Sequence, residues 1–355
     1  IIGGLAGDAL TTGNYNTAIG YKTLSTEDTG ARNTALGYAA LEVLNYDGNS
    51  ENTAVGYIAG AAITTGLRNT IMGALAGDAI TTGSDNVAIG RGALTSEDTG
   101  SNNVAIGYAA LNSQNYDGTA YNVAVGYNAG VNASTGINNV IIGGLAGDAL
   151  TSASYSTAVG KGALGTEDTS SHNTAIGYLS MSGGQNAAKN VAVGNNTLQT
   201  LQPGSNTDTY NVAVGYNAGM SMTTGTVNTI IGGNAGDALT TGAGNTVLGY
   251  GALSAEDTGS ANVAIGHGAL LALDYNGYGY NTAVGYDAGT AVTTGIRNTL
   301  VGGLAGDALA AGADNTAVGY AALSAEDGHG TNVAIGGWAL TAQNAGANAY
   351  NVAVG

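Results

Sequence analysis

The chain has 355 residues, among them 62 Gly, one Pro, no Cys and no Phe, which excludes a disulfide framework and an ordinary aromatic-rich core. Only 9% of residues are charged, yet the net charge is -17; with no Lys/Arg stripe to displace counterions from phosphates, nucleic acid is excluded as a partner. No run of about 18 apolar residues offers a helix that inserts into a membrane.

In chain order, the first complete unit is the pentad NTAIG at Asn16 to Gly20, which returns as NTALG at Asn33, NTAVG at Asn52, NTIMG at Asn69, NVAIG at Asn86 and so on to NVAVG at Asn351. The steps between pentads are 17 or 19 residues, with a single step of 21 from Asn190 to Asn211. A strand-like pentad with Gly-rich corners at this period predicts one coil of an all-β parallel solenoid, or β-roll, whose neighbours stack at about 4.8 Å. Twenty coils of 17–21 residues would make a rod of roughly 95 Å. Four coils form a 70-residue block, from Asn16 to Asn86 and again to Ser156, and an extra coil lies within 173–210. Residues 1–355 therefore read as one repetitive domain, and the incomplete first coil and the last pentad suggest a segment of a longer fibre.

Numbering each coil from its pentad, position one is Asn in every coil except at Ser156, which predicts an amide ladder along the stack. Position five is always Gly, which predicts a corner with φ > 0 or a close backbone approach. Positions two (Thr or Val) and four (a large aliphatic) share a face by period-2 alternation and are expected inside; the Ala at position three would then suit a close-packed face between chains. Position eight is nearly always Ala and reads as inward. Positions nine and twelve trade volume: Gly60 goes with Ile63 and Gly77 with Ile80, whereas Leu24 goes with Glu27 and Leu94 with Glu97, as if one large side chain fits there. Glycine is too frequent and the apolar spacing too irregular for helices, and 44% hydrophobic residues in register argue against disorder.

The motifs NTAIG, NVAIG and NTAVG, joined by Gly-capped stretches of small residues, resemble the head repeats of YadA-type trimeric autotransporter adhesins and the NTAVGY-type repeats of phage tail fibres and bacterial surface proteins. The resemblance covers essentially the whole chain. It implies a left-handed β-roll, three chains side by side, and attachment to host surfaces; it carries over no catalytic residue. The coils here are longer than in the adhesin heads.

A Tyr follows the invariant Gly at Tyr21, Tyr38, Tyr57, Tyr108, Tyr127, Tyr178, Tyr216, Tyr250, Tyr286 and Tyr320, and is replaced by Gly or Ala in coils that carry GDAL or GDAI. This column is either a binding surface that stacks on sugars, or a ladder that stiffens the rod. Acidic pairs recur at Glu27-Asp28, Glu97-Asp98, Glu167-Asp168, Glu256-Asp257 and Glu326-Asp327. Each is expected to be a solvated acidic corner, with a Ca²⁺ site at Glu27, Asp28, Glu97 and Asp98 as the weaker alternative. The Asp of the GDAL-type coils (Asp8, Asp78, Asp148, Asp237, Asp307) is expected to bond its own backbone. His172, His267 and His329 lack partners at a catalytic spacing, and the irregular stretch from Gln199 to Tyr210 offers Asp208 alone, so no enzyme is expected. An ice-binding face of TTG corners is disfavoured because those threonines skip coils.

The sequence thus predicts a structural and adhesive fibre, extracellular or on a virion, made of three identical chains and meeting a cell-surface glycan or host surface. A single-chain solenoid polymerising end to end into a filament is the alternative; a polysaccharide-cleaving tailspike stands behind both.

Overall fold

The structure, a computed structural model, describes residues 1–166, 169–325, 328–344, 348 and 350–355. No helix occurs among the described residues, and so none long and apolar enough to cross a membrane. The chain divides into two compact units, Ile1–Asn173 and Thr174–Gly355, built from the same coil. In the first, three-residue strands from Thr17–Ile19 and Thr34–Leu36 to Thr157–Val159 pair in parallel, each with the next. Their register follows the pentad: Thr17 lies opposite Thr34, Ala18 opposite Ala35, Ile19 opposite Leu36. The strands from Thr174–Ile176 to Val352–Val354 do the same in the second unit, where the long coil adds a small parallel pair, Ala187–Ala188 with Thr207–Asp208. Each unit is a parallel β-solenoid, as the period predicts.

The facing of the strand is the reverse of the expectation. Position three is the buried one: Ala18, Ala35, Ala54 and Ala88 are completely enclosed, so the alanine row is core and not a face between chains. Positions two and four point outward, leaving Met72 46% and Leu248 44% exposed. Alternation separates two faces but does not say which is inner; the thinness of the coil decides it. The inner face accepts a methyl group opposite the buried Ala at position eight in most coils, and the Ile and Leu at position three stand where position nine is Gly; Val247, in the coil of buried Leu253, is the smaller exception. Thus Ile71 is buried beside Gly77, where an added Cβ would stand 3.0 Å from its Cδ1, and Leu300 beside Gly306, at 2.7 Å from its Cδ2.

The trade between positions nine and twelve holds in part. A Cβ on Gly60 or Gly77 would fall 2.9 Å from the Cδ1 of buried Ile63 or Ile80. In the 19-residue coils, however, Leu41 and Leu44 are both buried, as are Leu270 and Leu273, because the two additional residues widen the turn. Position twelve is inside even when it is Glu: Glu27, Glu97 and Glu256 are fully buried.

The corner glycines adopt the expected positive φ, +132° at both Gly20 and Gly73. The backbone also turns left-handed at positions seven and nine and just before the pentad, without glycine: Lys22 (57°), Leu24 (53°) and Arg32 (65°). Such a conformation costs roughly 1–2 kcal/mol per residue, and it is held by bonds to adjacent coils, from Lys22 N–H to Gly4 O (3.1 Å), Leu24 N–H to Ala40 O (3.1 Å) and Arg32 N–H to Asn14 O (3.1 Å).

Candidate binding surface and acidic turns

All ten candidate tyrosines are exposed, and the coil stacking brings some of them together. Tyr21, Tyr38 and Tyr57 form a continuous stack with centroids 5.6 and 5.2 Å apart, and Tyr108 stacks on Tyr127 at 5.4 Å. Arg91 occupies the column one coil before Tyr108, its guanidinium 5.7 Å from the ring centroid and Nη1 donating to the Tyr108 hydroxyl at 3.2 Å. In the second unit His267 is a rung between Tyr250 and Tyr286, at 5.6 and 5.0 Å, and bonds Asp287 through Nδ1 at 3.3 Å. Asn195 separates Tyr178 from Tyr216, and Trp338 packs edge-on against Tyr320 at 5.0 Å. The column is therefore a series of short stacks, not one ladder. It is interrupted at Ala74 and Gly144 in the first unit, and at Gly233 and Gly303 in the second.

Sequence reasoning missed a second exposed row, formed by the residue just before each pentad. There Arg68 makes a two-pronged pair with Asp85 (2.7 and 2.7 Å), Arg297 does so with Asp314 (2.6 and 2.7 Å), Arg32 pairs with Glu51 (2.9 Å), and Tyr155 stacks on His172 (5.1 Å). The signal was available as opposite charges one coil apart. These exposed pairs add little stability individually, about 0–1 kcal/mol each.

The acidic pairs split by residue. Expected as a solvated corner, the Glu is instead a plug: Glu27 Oε1 accepts the Gly30 N–H at 2.7 Å and Oε2 the Tyr46 N–H of the next coil at 3.3 Å, with the same bonds at Glu97 (2.7 and 3.4 Å) and Glu256 (2.6 and 3.2 Å). Gly30 is required because a Cβ there would collide with that carboxylate. The Asp stays outward, Asp28 Oδ1 accepting the Thr29 N–H at 2.8 Å and Asp98 Oδ1 the Thr99 N–H at 2.7 Å. At the fourth pair Asp274 of the next coil joins Glu256 and Asp257, with ligand atoms all within 4.8 Å. In the first unit Asp98 lines a shallow surface cleft with Asn115, Tyr116, Asp117 and Thr135. Sequence reasoning missed Asp274 and Asp117, which arrive one coil later. The backbone donors on both Glu oxygens tie each turn to the next coil. Glu167-Asp168 and Glu326-Asp327 lie outside the described residues.

Asp208 is paired with Lys189 Nζ at 2.6 Å and accepts the Tyr210 hydroxyl at 3.1 Å, while Lys189 lies 5.2 Å from the Tyr210 ring centroid. These bonds pin the extra coil. In the GDAL-type coils the own-backbone bond expected for Asp acts at Asp78, Asp148, Asp237 and Asp307, where it opposes the burial that raises each carboxyl above its ordinary range. One oxygen each of Asp78 and Asp307 is buried without a hydrogen-bond partner among the described residues.

These carboxyls give the fold a pH dependence of definite sign. Burial raises Glu27, Glu97, Glu256 and the four GDAL-type Asp, so the folded chain holds their protons more tightly than the unfolded chain. Their contribution grows as pH falls through the folded pKa values and is complete below the unfolded ones. Asp85 and Asp314 oppose it: hydrogen bonds from Arg68 and Arg297 hold them low, so their contribution is complete above the unfolded carboxyl value and is lost as pH falls through the lower folded one. Thermal unfolding followed by circular dichroism should give a higher Tm at pH 4.5 than at pH 7. A Tm that falls steadily from pH 7 to pH 4.5 would contradict this assignment.

No known family model matches the chain, and no curated protein matches it significantly.

Proposed function

We propose that the chain is the shaft or head of an extracellular or virion fibre, a left-handed coil assembled from three copies, whose work is mechanical and adhesive. The observation that carries the assembly is the outward apolar face of the strands. Positions two and four place Val87 with Ile89, Val104 with Ile106 and Val123 with Val125 in consecutive register, and on this face Leu36, Met72, Val140 and Ile142 of the first unit, like Ile176 and Leu248 of the second, are more than a third exposed. Contiguous apolar surface of this extent marks an interaction site in soluble proteins. Two further copies of the chain are the fitting occupants, because a face repeated at one spacing meets its own repeat in register all along its length. The tyrosine column stands beyond the glycine corner and stays open to a glycan or host surface when the strand face is covered.

Sedimentation equilibrium of the wild type should give three chains per particle, and Ile89→Lys with Ile106→Lys, both on outward positions, should give folded monomers. A wild-type monomer overturns the assembly, and indefinite threads in negative stain would replace it with end-to-end polymerisation.

A further inference from the structure

We infer that the break in the aromatic column at Gly233 is a binding slot for one terminal, uncharged pyranose ring, entered edge-on. The inference rests on reading the chain as an adhesive surface fibre and names a site within it.

The template for the slot is in the same unit. At Tyr250, His267 and Tyr286 a flat ring sits between two tyrosines at 5.6 and 5.0 Å, with interplanar angles of 21° and 11°. At Gly233 the two walls are present, Tyr216 one coil before and Tyr250 one coil after, but the rung is missing. Rings two coils apart stand roughly 10 Å apart, which leaves room for one ring at stacking distance from both. The walls are correspondingly open: Tyr216 is 57% and Tyr250 60% exposed, against 46% for Tyr38 inside its stack. In the first unit the breaks at Ala74 and Gly144 have a tyrosine on one side and Arg91 or Lys161 on the other, so no two-walled slot forms there.

Three features select the occupant. The C–H-rich faces of a pyranose carry slightly positive hydrogens and suit the negative faces of two tyrosines. Beside the slot Asn234 accepts from Asn217 Nδ2 at 3.2 Å, which leaves its own amide hydrogens to donate to a ring hydroxyl. The net charge of -17 opposes anionic sugars and phosphate-bearing bases. Of the other breaks between two tyrosines in this unit, the one between Tyr178 and Tyr216 carries the Asn195 side chain, whose Oδ1 accepts the Tyr178 N–H at 3.3 Å, and the one at Gly303 between Tyr286 and Tyr320 has Leu304 where Gly233 has Asn234 and lacks that donor.

The deciding variant is Gly233→Tyr, which supplies the missing rung and leaves both walls intact. The backbone tolerates it: an added Cβ meets only the Tyr250 ring, at 3.5 and 3.8 Å, and Gly233 is not among the positive-φ glycines. Saturation-transfer NMR with the methyl glycosides of glucose, galactose and N-acetylglucosamine should show transfer to at least one of them in the wild type. That signal should fall at least tenfold in Gly233→Tyr and in Tyr250→Leu, and persist in Gly303→Tyr. The slot is overturned by equal transfer in Gly233→Tyr, by transfer to none of the three sugars, or by transfer to phenol alone, which would name an aromatic side chain as occupant. Sedimentation of Gly233→Tyr keeps the fibre reading separate, since completing the column leaves the strand face unchanged.

Discussion

Gly73→Ala should destabilise its region of the solenoid by about 3 kcal/mol, whereas Gly144→Ala in the same unit should be nearly silent. At Gly73 the φ of +132° lies where side chains are strained, and a Cβ would stand 2.6 Å from the carbonyl oxygen and 2.7 Å from the carbonyl carbon of Gly90. Both atoms are backbone of the next coil, which is fixed by its own bond from Gly90 N–H to Met72 O at 2.7 Å. Neither strand can retreat without opening the ladder. At Gly144 an added Cβ meets nothing within 4 Å, and φ is not in the left-handed region. Because each coil of a solenoid contacts only its neighbours, the damage should be local. Hydrogen exchange should accelerate roughly a hundredfold at the amides of Gly73 and Gly90, the equivalent of about 3 kcal/mol of lost protection. Equal exchange in the two variants would show that the close approach does not constrain the corner.

That corner was legible because one residue type can occupy it. An invariant glycine within a single chain repeats one steric demand, and period alone fixed the coil and its register. The left-handed turns at Lys22, Leu24 and Arg32 were not legible, because ordinary residues occupy them and stacking bonds, absent from any single coil, hold the strain. The facing of the strand was misread for a related reason. Alternation marks two faces, and a large aliphatic at position four suggests core by its own hydrophobicity, but the inner space is set by what stands across the coil. Opposite the buried Ala40 at position eight there is room for Ala35 and not for Leu36. Glu27 shows the same limit in polar form. Its charge reads as surface, yet the N–H groups of Gly30 and Tyr46 that satisfy it come from the turn and from the next coil. The breaks in the tyrosine column could be counted in the sequence, but their meaning as slots required the neighbouring sandwich around His267.

Asn86→Ala should cost about 2–5 kcal/mol, because it leaves two buried backbone groups without partners at once. Asn86 Oδ1 accepts the Asn103 N–H at 2.9 Å and its Nδ2 donates to Gly100 O at 2.8 Å, with the side chain fully buried. The first bond joins successive coils and the second closes the coil's own turn, so the position couples stacking to turn geometry. The ladder predicted from the sequence thus exists, but it runs through backbone as much as amide to amide: Asn69 Nδ2 also reaches Asn52 Oδ1, at 3.2 Å, while Asn86 Oδ1 serves a main-chain donor. The chain carries its own partial variant at Ser156, whose shorter side chain reaches the Asn173 N–H only at 3.4 Å and turns its hydroxyl back to Ser154 O, also at 3.4 Å. Ser156→Asn should therefore stabilise the first unit by about 1 kcal/mol, the worth of one well-formed bond. Asn86→Ser should fall between wild type and Asn86→Ala. Exchange rates at the Asn103 and Asn173 amides report both effects directly, with faster exchange at the first in Asn86→Ala and slower exchange at the second in Ser156→Asn. If Asn86→Ala exchanges like wild type at Asn103, the amide is not what joins the coils, and the strand ladder alone must hold them in register.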